Sequence, residues 1–85
     1  MDYVIVAFRS RTETLGFSKF ISARGINNSI VNTPKSAGVG CGISVKTDWK
    51  NISAIRNILS VKPAKTFAGI FSVKVVGGKQ FVRSV

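Results

Sequence analysis

The run Tyr3-Val4-Ile5-Val6-Ala7-Phe8 restricts the fold of this chain more than any other stretch. It is rich in β-branched residues and too short for a helix, so it predicts a strand. Apolar side chains fall at both parities, and successive strand residues point to opposite faces. Both faces of the sheet around it therefore need cover, which places the strand in the middle.

The character of the chain changes at Arg9-Ser10-Arg11-Thr12-Glu13. Ser10 with Glu13 three residues later is a capping box, and it predicts a helix start. Phe17, Phe20 and Ile21 form one face of that helix, and Gly25 is placed to end it in the left-handed conformation. Leu15 falls off the stripe. Gly16 weakens the helix by about 1 kcal/mol relative to Ala. The sequence accounts for neither.

Ser29-Ile30-Val31 reads as a second strand, closed by Asn32-Thr33-Pro34. A glycine-containing loop from Lys35 to Gly42 leads to Ile43-Ser44-Val45-Lys46, which alternates like a half-buried strand. Thr47 or Asp48 can cap a second helix with the stripe Ile52, Ile55, Ile58 and Leu59, and Trp49 at its edge. Pro63 marks its end. Phe67 to Val76 is a long strand, and Gly77-Gly78 signals a hairpin into Gln80–Val85. The expected fold is an α+β, ferredoxin-like βαββαβ sandwich with an extra C-terminal strand or hairpin. It is expected to be one domain over 1–85, with a core at 3–76 and the extension at 77–85. A sheet apolar on both faces predicts that the face without helices is covered by a homodimer partner or by the terminal hairpin.

Thirteen Lys and Arg against three acids give a formal net charge of +10, a field that attracts anionic partners. The cations are scattered from Arg9 to Arg83, so charge names the kind of partner and no more. No apolar run approaches the roughly 20 residues that cross a bilayer, and the amino terminus lacks a signal-peptide pattern. The expected location is the cytoplasm, away from membranes. With no histidine there is no Ser-His-Asp or Cys-His machinery. With one cysteine there is no internal disulfide or cysteine-based zinc site, and three scattered acids do not make a metal site. No metal and no cofactor are expected. Any covalent chemistry falls to the single thiol, Cys41.

Cys41 lies in Gly38-Val39-Gly40-Cys41-Gly42. The glycines Gly38, Gly40 and Gly42 permit unusual torsions and clear bulk from around the sulfur. Lys35 and Lys46 are near in sequence, and positive surroundings favour the thiolate. A free cysteine is equally a small buried hydrophobe, and both readings stay open on these residues. Arg9, Ser10 and Arg11 sit where a helix start offers free amides to an anion or an acidic partner. They also suit a plain, solvated helix cap.

The strand followed by Phe8-Arg9-Ser10-Arg11-Thr12-Glu13, then Asn32-Thr33-Pro34-Lys35 and Gly40-Cys41-Gly42-Ile43-Ser44-Val45, resembles a small bacterial family of selenium/sulfur carrier-like proteins. The resemblance covers roughly residues 3–73. It implies that Cys41 bears a sulfane sulfur or a selenium atom, received from a donor protein and passed to an acceptor. In this reading the chain is a persulfide or selenopersulfide carrier rather than a stand-alone enzyme. Two other readings are weighed against it. A basic nucleic-acid-binding module fits the charge, although the third strand lacks the aromatics of an RRM surface. A non-catalytic dimerising regulatory or structural protein predicts a buried, unreactive Cys41.

Overall fold

A computed structural model describes residues 2–38 and 42–85. In chain order it contains β1 (Asp2–Phe8), α1 (Arg11–Ser22), β2 (Asn28–Asn32), β3 (Ile43–Thr47), α2 (Ile52–Val61), β4 (Phe67–Val76) and β5 (Lys79–Ser84). Short 3-10 turns occupy Lys35–Ala37 and Trp49–Asn51. The strands form one sheet in the order β2-β3-β1-β4-β5, every neighbouring pair antiparallel. Helix α1 joins β1 to β2 with β3 lying between them, and α2 joins β3 to β4 with β1 between them. That interleaving is the split βαβ arrangement of a ferredoxin-like sandwich. The fold is α+β, and the hairpin adds β5 at the edge of β4.

Local chemistry explains the elements. Ser10 is extended, and its hydroxyl accepts the Glu13 amide at 3.2 Å, so α1 starts at the expected cap. Only that half of the capping box is used, because the Glu13 carboxylate is bonded to Thr66 instead. At the other end Gly25 takes a φ of 80°. The Ile26 amide reaches the Ile21 carbonyl and the Gly25 amide that of Ser22, each at 3.0 Å, a Schellman closure. Asp48 accepts the Lys50 amide ahead of α2, and Pro63 follows its end.

One face of the sheet carries the helices. Val4, Val6 and Phe8 of β1, Val45 of β3 and Ile70 of β4 pack with Ile21 of α1 and Ile55 of α2. Each fully buried side chain of this size contributes about 1.5–3 kcal/mol over its exposed state. Phe8 also meets the rings of Phe17 and Phe67, at centroid distances of 5.2 and 6.0 Å. Thr14 completes the α1 stripe, fully buried, with its hydroxyl donated to the Ser10 carbonyl at 2.9 Å.

The other face is buried as well. Ile5, Ala7, Ser44 and Val73 have no exposed surface, and their parity is opposite to that of Val4, Val6 and Val45. The 3-10 turn Lys35–Ala37 follows β2, at one edge of the sheet, yet packs against β5 at the other. The connection from β2 must therefore cross the sheet. A 2.6 Å bond between the Thr33 and Ser44 hydroxyls puts the crossing on the face away from the helices. The cover inferred from β1 is thus supplied in part within the chain, by this connection; the terminal hairpin does not lie across the face, because β5 pairs with β4 and extends the sheet at its edge. Near it, β4 bulges between the partners of Ala7 and Phe8. Gly69 takes a φ of 147° there, and a Cβ on it would stand 3.3 Å from the Phe71 ring.

Candidate functional site

The register of β1 with β3 pairs Ala7 with Ser44, so the residues after β1 and those before β3 lie at one end of the sheet. That end holds Arg9, Ser10 and Arg11 at the start of α1 and the two feet of the loop between β2 and β3, Thr33 and Gly42. The loop is tied at its base. The Thr33 amide donates to the Gly42 carbonyl at 2.9 Å, extending the β2–β3 ladder, and the Thr33 hydroxyl meets Ser44. Ser44 is fully buried, so this pairing also satisfies a hydroxyl removed from water. Further along, Gly38 adopts a φ of 70° and donates its amide to the Lys35 carbonyl at 3.1 Å, closing the 3-10 turn. That torsion favours glycine. At Gly42 a Cβ would meet nothing within 4 Å. Cys41 and Gly40, singled out from the sequence, lie outside the described residues.

Arg9 and Arg11 are exposed beside the Ser10 cap, and Lys35 is exposed in the turn. Lys46 follows Gly42 by four residues along β3, roughly 13 Å at strand rise. Its ammonium lies over the Tyr3 ring, 4.3 Å from the centroid. The register thus puts Arg9, Ser10, Arg11 and Gly42 at one end of the sheet and sets Lys46 apart, while the turn that carries Lys35 and leads to Gly38 packs against β5.

Thr66 fixes this end and was not legible in the sequence. Its carbonyl accepts the Arg9 amide at 2.7 Å. Its own amide donates to Glu13 Oε1 at 2.8 Å, and its hydroxyl donates to the same oxygen. These two bonds hold the Glu13 carboxyl below its ordinary pKa, helped by the Lys65 backbone and charge and opposed by desolvation. The start of α1 is thereby tied to the segment between α2 and β4. Nothing local marks Thr66, whose partners are far away in sequence. Thr33 and Ser44 were missed as well: the sequence read them only as a strand end and a strand residue, although both hydroxyls flank the cysteine loop.

The family model described as Putative Se/S carrier protein-like matches residues 2–69. The chain belongs to that family. The match runs from β1 into the first residues of β4 and takes in the whole loop containing Cys41; the rest of β4 and all of β5 lie beyond it. No curated protein and no solved structure matches this Se/S carrier-like chain. Among its described residues no helix is long and apolar enough to cross a membrane.

The face of the sheet away from the helices is a poor stacking platform for bases. There the middle strands present Tyr3, Ile5 and Ala7 from β1 and Ser44 and Lys46 from β3. Tyr3 is the one aromatic of this set, and Ile5, Ala7 and Ser44 are fully buried. An RRM-type surface needs several exposed rings there.

Proposed function

We propose that the chain carries sulfur or selenium on Cys41, as a persulfide or selenopersulfide, between a donor and an acceptor protein. The observation that carries this reading is the family match across residues 2–69, which spans the chain's one thiol. The chemistry asks for a single ionisable thiol and for no base, metal or second cysteine. In the loading step the Cys41 thiolate attacks the outer sulfur of a donor persulfide, R–S–SH. A new S–S bond forms to Cys41, the donor's S–S bond breaks, and R–S⁻ leaves with the electron pair. The hydrogen stays on the transferred sulfur, so nothing is oxidised overall. Unloading is the same step with an acceptor thiolate as nucleophile and the Cys41 thiolate as leaving group.

The surroundings support this role. Gly38 and Gly42, which flank the thiol in sequence, carry no side chains, and a Cβ on either would meet nothing within 4 Å. Lys35 in the turn and Arg9 and Arg11 at the start of α1 provide positive charge that favours a thiolate and a docked acidic partner. Ser10 holds the helix start that presents those arginines. Lys46, near the other end of β3, adds only to the wider field.

The test is incubation of the reduced protein with cysteine persulfide, followed by intact-mass and peptide mass spectrometry. The expected result is a gain of one sulfur atom at Cys41, reversed by dithiothreitol and absent from Cys41→Ser. An unmodified Cys41 at donor concentrations that load small thiols would overturn the proposal.

A further inference from the structure

The groove between α1 and α2 has no described residue of the β2–β3 loop in its walls. It encloses about 360 Å3, with Phe8, Phe17, Phe20, Ile58 and Pro63 among its walls. Gly16 lies on the α1 side of it. A glycine in the middle of a helix costs about 1 kcal/mol relative to Ala, and nothing among the described residues explains this one. Its φ is not positive. A Cβ there would meet no atom within 4 Å. The glycine's one effect is to leave the α1 backbone bare where the groove opens.

Charge is the second observation. The Arg24 guanidinium and the Lys62 ammonium both lie over the Phe20 ring, 4.1 and 4.7 Å from its centroid. A hollow of about 420 Å3 shares Phe20, Ile58 and Lys62 with the groove and adds Arg24 and Val61, which is 77% exposed. The one carboxylate in the groove, Glu13, is bonded to Thr66. An apolar floor is therefore edged by two cations that have no carboxylate partner among the described residues. Stacking on a ring leaves N–H donors of each cation available for charge-assisted bonds.

We infer that this groove is the docking site for an acidic amphipathic helix of a partner protein. The apolar face of that helix covers Phe17, Phe20 and Ile58, a small residue approaches Gly16, and carboxylates reach Arg24 and Lys62. Charge selects this occupant. A second copy of a chain with net charge +10 brings like charges together. A nucleic-acid strand needs a cationic track for its phosphates, and here it meets hydrocarbon. The inference does not rest on the chemistry of Cys41.

The test uses a fluorescein-labelled peptide of about 15 residues, Leu on one helical face and Glu on the other, titrated with the full chain and read by anisotropy. A Lys-for-Glu counterpart is the control. The Glu peptide is expected to bind, and Gly16→Leu and the double substitution Arg24→Ala, Lys62→Ala are each expected to weaken it about tenfold or more. Cys41→Ser is expected to bind as the parent does. Gly16→Leu should melt no lower than the parent, because leucine is the better helix former and enters empty space. If it melts lower, the double substitution decides. No binding of the Glu peptide, equal binding of the Lys peptide, or binding unchanged in the variants would overturn the inference. So would full displacement by an RNA oligonucleotide or by phosphatidylglycerol vesicles.

Discussion

The two faces of the sheet are buried by different means. On one, α1 and α2 lay their apolar stripes across Val4, Val6, Phe8, Val45 and Ile70. Both helices carry their own backbone hydrogen bonds, with Ser10 capping α1 and Asp48 capping the turn that leads into α2, so that cover is built from self-supporting pieces. On the other face, Ile5, Ala7 and Val73 are equally removed from water, yet the cover includes the connection from β2. That connection is held by Thr33, Ser44 and the packing of its 3-10 turn on β5. A helix keeps its shape when one contact is lost; a crossing loop depends on each of its anchors. The described part of the β2–β3 connection belongs to the second kind of cover, where small rearrangements cost least.

The largest effect is expected where the helices close the core. Phe8 is fully buried and touches both Phe17 and Phe67. Phe8→Ala should cost about 3–5 kcal/mol, read as a lowered urea midpoint with an unchanged slope. A loss below about 1 kcal/mol would mean that this face collapses as easily as a loop, and the distinction between the faces would be gone.

A matched pair sharpens the same point. Val6 and Val73 are both fully buried strand valines, one under the helices and one on the loop-covered side. Valine to alanine removes the same atoms from each, so a difference between them measures how far the surroundings relax. Val6→Ala should cost about 2–3 kcal/mol and Val73→Ala about 1–2, because a loop can settle into the space where packed helices cannot. Equal losses, or the reverse order, would break the comparison.

These contrasts separate what local pattern could tell from what it could not. Apolar residues at both parities of Tyr3–Phe8 announced a central strand covered twice. Ser10, Gly25 and Gly77-Gly78 marked a helix start, a helix end and a hairpin, because each acts through its own backbone or that of near neighbours. The stripe Ile52, Ile55, Ile58 and Leu59 was legible for the same reason. The route of the loop over the sheet was not, since it depends on Thr33 meeting Ser44 and on β5 lying at the far edge. Gly16 looked like a flaw in a helix, and only the space beside it gives it a use. Lys46 appeared close to Cys41 along the chain, but a strand carries a side chain away at about 3.3 Å per residue. Its ammonium rests on Tyr3 instead.

Glu13 provides the smallest effect and a test of how the helix-bearing layer is tied down at the loop end. The sequence assigned its carboxylate to Ser10, and the structure gives it to Thr66, 53 residues away. Bonds from the Thr66 hydroxyl and amide favour the ionised form, with the Lys65 backbone and charge adding to them, so the folded-state pKa lies below the ordinary value of 4.5. A carboxyl with a depressed pKa stabilises the fold fully above its unfolded-state pKa. That contribution is lost as pH falls through the folded-state value. Urea midpoints of the parent should therefore drop on acidification below about pH 4.5, and Glu13→Gln should show a shallower drop over the same window. Thr66→Val should also be shallower, since it removes the hydroxyl but keeps the amide. Parallel profiles for parent and Glu13→Gln would show that the tie between α1 and Thr66 contributes nothing through ionisation. The loop end of the helix layer would then be held by packing and the Arg9–Thr66 backbone bond.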